Sequence, residues 1–163
     1  HSFPTRRSSD LVGMGLILMI ILFILAPAFI ILFICGLADF IFGYLTKRNI
    51  NIGIDAITIG VLIVTFYFYY KLAFIFIPIV ILNRIILGKV KIKHFIKGIY
   101  LTIIIFLAYS FKNYNVALVG VFLIVIRYLM DIIVSKTMIP NSPIIFKIQN
   151  LIMTSVLFFM IFS

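Results

Sequence analysis

The chain has 163 residues, 65% of them hydrophobic, and carries a formal charge of +10 from 14 Lys and Arg against 4 acidic residues. So few polar groups cannot coat a soluble globular domain, and the apolar runs are long enough to cross a bilayer core of about 30 Å, as in an integral membrane protein. The cations gather at the ends of those runs, where phospholipid headgroups meet them. No interleaved basic and aromatic surface suits DNA or RNA, so the bilayer is the expected partner and nucleic acid is excluded.

Residues 1–11, His-Ser-Phe-Pro-Thr-Arg-Arg-Ser-Ser-Asp-Leu, read as the translation of a common sequencing-library adapter, which leaves 12–163 as a single transmembrane helical domain. A basic signal-peptide start before an apolar run is the alternative. The cationic excess survives removal of Arg6, Arg7 and Asp10. Residues 12–46 form one apolar stretch, too long for a single straight crossing at about 1.5 Å per residue. Pro27 divides it into two legs, 12–26 and 28–45, with one long kinked helix as the alternative because membrane helices tolerate proline. Further spans are expected over 52–70, 72–88, 98–111, 114–134 and 144–162. The fold class is therefore all-α, a polytopic transmembrane bundle of six or seven spans. Pro140-Asn141-Ser142-Pro143 marks the turn before the last span.

If the spans from 52 onward alternate, Lys47, Arg48, Lys89, Lys91, Lys93, Lys97 and Lys136 fall on one side, with Lys71 and Lys112 on the other. The positive-inside rule then puts the Lys47–Arg48 and Lys89–Lys97 loops in the cytoplasm and the C-terminus outside, in a multi-pass cell-membrane protein. The lysines around Val90 and Ile92 fit either a topology determinant or a short amphipathic element on the inner leaflet. His94 has no neighbouring ligand type and reads as a lone surface histidine. Cys35, the single cysteine, lies in an apolar run and reads as a packing residue, with no intramolecular disulfide available.

Beyond Asp10 the acids are Asp39, Asp55 and Asp131, all in or near spans, and there is no Glu. A charge in hydrocarbon costs roughly 2.5 to 3.5 kcal/mol on insertion scales, so each needs a partner or an aqueous cavity. Arg127 precedes Asp131 by four residues, a spacing that predicts an ion pair along one helix face. Arg84 is expected to snorkel to headgroups beside Asn83. Asn51, Asp55, Thr58, Thr65 and Tyr69 form a polar intramembrane stripe at helical spacing, which is either a cavity lining or an interhelical hydrogen-bond seam. Gly36 and Gly43, with Asp39 between them, and Gly53 and Gly60 on the next helix supply small residues for close helix packing.

The run Gly36-Leu37-Ala38-Asp39-Phe40-Ile41-Phe42-Gly43, followed by Gly53-Ile54-Asp55-Ala56 and another apolar span, resembles the MreD-type rod shape-determining membrane proteins. Their fold is thought to be similar to the substrate-binding S components of energy-coupling-factor transporters. The resemblance covers about residues 27 to 70 and implies a non-enzymatic scaffold that joins cell-wall elongation machinery through other membrane proteins. The alternative is an S-component-like subunit of a small-molecule transporter, with the Asn51, Asp55 and Thr58 face lining an outward-facing pocket. No phosphate-binding G-x-x-x-x-G-K-[ST] motif is present, so such a subunit would rely on partner ATPases. A metal-dependent lipid-processing enzyme is the remaining class, but Asp39 and Asp55 do not supply the close aspartate cluster of alcohol phosphatidyltransferases. No H-E-x-x-H and no nucleophile–base pair occur either. The expectation is a non-enzyme without cofactor or metal, with a small-molecule ligand as a candidate partner.

Overall fold

The computed structural model describes residues 6–47, 52–88, 92–138 and 144–163. The described residues form helices joined by short turns, without strands, in the order α1 (Arg6–Lys47), α2 (Ala56–Tyr67), α3 (Tyr70–Ala73), α4 (Phe76–Ile86), α5 (Ile92–Ser110), α6 (Val116–Met138) and α7 (Ile144–Phe162). Three stretches among them are long and apolar enough to cross a membrane, namely Ala26–Thr46, Val116–Val134 and Ile144–Phe162. This is a helical membrane protein. Asn51 and the turn expected at 140–143 lie outside the described residues.

The first stretch is one helix rather than two legs. Pro27 lies inside the 42 residues of α1. A single proline removes one backbone donor, and packing or local adjustment can absorb that loss inside a membrane helix. At about 1.5 Å per residue α1 is about 63 Å long, twice a bilayer core. It begins at Arg6, so part of the segment read as adapter-derived is continuous with it.

The region expected to hold two full spans, 52–70 and 72–88, holds shorter elements. α2 has 12 residues, α3 has 4 and α4 has 11. At about 18 Å, α2 falls short of a bilayer core by itself. The chain leaves helix at Phe68 and Tyr69, turns through α3, and returns in α4, so the region is a hairpin of short legs. Pro78 sits in the first turn of α4, where its missing N–H costs no helical hydrogen bond.

α2 is the hub. Ile57, Ile59, Val61, Leu62 and Val64 are buried on it, and Leu32, Phe76, Val80, Leu101, Ile104, Leu123, Ile124 and Phe158 from the surrounding helices complete the core. Lipid tails are as apolar as these side chains, so close fit rather than escape from water holds the hub in place. Small residues set that fit. A Cβ at Gly60 would come within 2.6 Å of the Phe76 ring and 2.9 Å of Cys35, so α1 and α4 both press on the α2 backbone there. Gly36 faces Ile79 of α4, and Gly43 faces Arg84 and Leu87. The expectation that Gly53 shares a helix with Gly60 is corrected: Gly53 precedes α2 with φ +77°, a left-handed conformation that favours glycine.

At the end where α2 runs into α3, aromatic rings cluster. Tyr70 meets Tyr109 in a tilted pair with ring centres 4.3 Å apart, Tyr67 stacks at 5.5 Å on Phe162, and Lys112 lies over the Tyr109 ring. Such rings favour the membrane–water interface, where one edge is apolar and the other wet. Tyr69 belongs to this exposed belt, stacked on Tyr70, and not to a buried stripe.

Candidate functional site

The opposite end of the bundle is polar. There the C-terminal ends of α1, α4 and α6 meet the N-terminal ends of α2, α5 and α7 around a cavity of about 470 Å³. Arg84, Lys97, Arg127, Lys147 and His94 line it together with Asp39, Asp55 and Asp131.

Asp55 is the centre. It is the residue before α2, and its Oδ1 accepts from the Thr58 backbone N–H at 3.3 Å, capping one of the donors that a helix start leaves unpaired. Its own N–H donates to Thr154 Oγ1 of α7 at 3.1 Å. Arg127 Nη2 of α6 reaches its Oδ2 at 2.7 Å, and Lys97 Nζ of α5 reaches it at 3.3 Å. Asp55 thus ties α2, α5, α6 and α7 together, the first three through its carboxylate and α7 through its backbone N–H. The Arg127 guanidinium also lies 4.3 Å from the centre of the Tyr128 ring, and the Tyr128 hydroxyl sits 3.4 Å from Thr154 Oγ1.

Two further pairs flank this centre. Asp39 of α1 takes Arg84 Nη2 at 2.7 Å and Asn83 Nδ2 at 3.1 Å, and Asn83 also donates to the Gly36 carbonyl at 3.0 Å. Arg84 therefore turns inward to a carboxylate instead of snorkelling to headgroups. Asp131 of α6 takes Lys147 Nζ of α7 at 3.1 Å. The expected Arg127–Asp131 ion pair along α6 is replaced by two cross-helix pairs, Arg127 with Asp55 and Asp131 with Lys147. The physical reason is burial: Asp55 is more enclosed than Asp131, with side-chain exposures of 8% and 34%, so it has the greater need of a guanidinium.

The predicted stripe divides. Asp55 and Thr58 are buried, Asp55 at the cavity and Thr58 one turn into α2. Thr65 is buried and donates to the Val61 carbonyl at 2.7 Å, a local bond of a kind that satisfies a hydroxyl inside an apolar helix. His94 lines the cavity and is not a lone surface residue, and Lys97 is drawn inward from what reads as a basic loop. Sequence reasoning missed Lys147, Asn150 and Thr154, although they lie at i, i+3 and i+7 in an apolar run, the spacing of a polar helix face. Among the described residues no group of three or more His, Cys, Asp or Glu side chains is placed to hold a metal ion.

Comparison of the chain with protein-family models, with curated proteins and with solved structures found no match.

Proposed function

We propose that the chain is a non-catalytic membrane subunit that binds a small molecule in the cavity around Asp55. The observation that carries this reading is the cavity itself, about 470 Å³ of space onto which charged side chains converge in a bundle otherwise packed with hydrocarbon. A volume in the range of about 300–1,000 Å³ with a few converging charged groups is what small-molecule sites require. The ends of α1, α4 and α6 that border it lead into the Lys47, Lys89 and Lys136 segments, so the positive-inside rule turns the cavity toward the cytoplasm, with the C-terminus outside. This departs from the outward-facing pocket of the S-component alternative. A transporter role would then release or sense ligand on the inner side, together with a coupling partner and ATPases.

A second reading has its own support. Each of the three acids at the cavity already has a partner inside the bundle, as a purely structural seam would require. In that case the protein is a scaffold that meets other membrane proteins, as the resemblance to MreD-type proteins implies. Purification of the chain in mild detergent from its native membrane, with mass spectrometry of everything retained, separates the two. A stoichiometric small molecule is the expected result. Cell-wall elongation proteins in its place would overturn the binding reading in favour of the scaffold.

A further inference from the structure

We infer that the ligand of this cavity carries an oxyanion, a phosphate or carboxylate group, and that Lys97 and Arg127 receive it. The inference rests on the binding reading above and gives the ligand its charge.

Counting formal charges on the lining among the described residues, Arg84, Lys97, Arg127 and Lys147 face Asp39, Asp55 and Asp131. The surplus cation can be located. Arg127 meets Asp55 at 2.7 Å and alone neutralises it, so Lys97, at 3.3 Å from the same carboxylate, is the second cation on one anion. Charge-assisted N–H···O bonds usually lie near 2.7–2.9 Å, so the Lys97 contact is a loose one that a better-placed acceptor can take over. An uncompensated charge inside a membrane bundle is costly, and an incoming anion removes that cost.

Arg127 supplies the second observation. The residue is 5% exposed, yet its Nε–H has no acceptor among the described residues. A guanidinium has five donors in a fixed fork that matches the two oxygens of a carboxylate or phosphate. A buried donor left unmade costs roughly 1–3 kcal/mol, and Arg127 lines the cavity, so an oxyanion that draws the guanidinium toward the cavity relieves that cost. The cavity is much larger than a bare phosphate, so the anion comes with an organic body. Two sources share this chemistry: a soluble phosphate ester entering from the aqueous side, and the headgroup of an anionic lipid sliding in from the adjoining leaflet.

The test uses the whole chain in nanodiscs of phosphatidylcholine, with thermal unfolding followed as ligand is titrated. The expected result is a saturable rise in Tm with glycerol 3-phosphate or on exchange of part of the lipid for phosphatidylglycerol, and none with glycerol. A response to the first assigns a soluble ester, and a response to the second alone assigns a headgroup. Lys97→Gln is expected to weaken the apparent affinity by about tenfold or more, with Lys97→Arg restoring most of it. Lys112→Gln, at the far end of the bundle, leaves it unchanged. No shift with either anion, or an equal shift in Lys97→Gln, overturns the inference. A stoichiometric neutral or cationic molecule found by mass spectrometry overturns it as well, while leaving the binding reading intact.

Discussion

Replacing Asp55 with Leu strands Arg127, a 5% exposed cation, without its carboxylate. Breaking a buried pair from one side costs about 3–5 kcal/mol because the remaining charge stays uncompensated. The expected outcome is a loss of that size in the unfolding free energy read by SDS titration in mixed micelles. Removing both charges, Asp55→Leu with Arg127→Leu, recovers a large part of it. Asp131→Asn is the contrast. Its side chain is 34% exposed and its partner is a lysine, so the same titration should move by less than about 1 kcal/mol. Equal losses at Asp55 and Asp131 would refute the ranking of the two acids by burial. The three acids of this site were legible from sequence, since acids in apolar runs are expensive and stand out. Their pairing was not. An Arg127–Asp131 spacing of four is a local solution that any helix permits, whereas Lys97 and Thr154 reach Asp55 across sequence gaps of 42 and 99 residues that only the tertiary fold closes.

At the scale of elements, glycine sets how closely helices approach. A Cβ at Gly120 of α6 would overlap the ring of Phe158, which is fully buried on α7 and has no room to turn aside. Gly120→Ala should therefore destabilise the α6–α7 contact by about 1–3 kcal/mol, with Phe158→Leu on the same background recovering part of the loss. Gly53→Ala has a different cause and an expected cost of about 1–2 kcal/mol, because its φ of +77° puts a side chain in the left-handed region. Absence of any change in thermal stability at both positions would refute these packing and backbone arguments. The last three helices followed the hydropathy pattern to within a few residues, except that α5 starts at Ile92, earlier than the expected 98. There Lys93 and Lys97, read as part of a loop, ride on the first turns of a helix. The break expected at Lys71 falls inside the observed one, Phe68–Ile75, but its width was not legible, because the run is apolar and aromatic with no glycine or proline at the turn.

For the whole molecule, charge asymmetry predicts an orientation. On a Cys35→Ala background, a cysteine placed at Ser163 should react with a membrane-impermeant maleimide on intact cells, and one placed at Lys136 should react only after lysis. The reverse pattern would refute the assignment of the cavity to the cytoplasmic side. Exchanging Lys89, Lys91 and Lys93 for Gln should weaken that preference and yield a mixture of labelling states. The location of α2 at the hub also sets an order in time. Its acid depends on Arg127 of α6, and its backbone N–H on Thr154 of α7, which lies 99 residues further along the chain. At a synthesis rate of about 5–20 residues per second, Asp55 waits about 4–14 s for its arginine and about 5–20 s for its threonine. During that interval a short helix with an unpaired charge at its start has no stable berth in lipid. The bundle must therefore close from its C-terminal end, and a nascent chain halted after α5 is left as a substrate for membrane quality control.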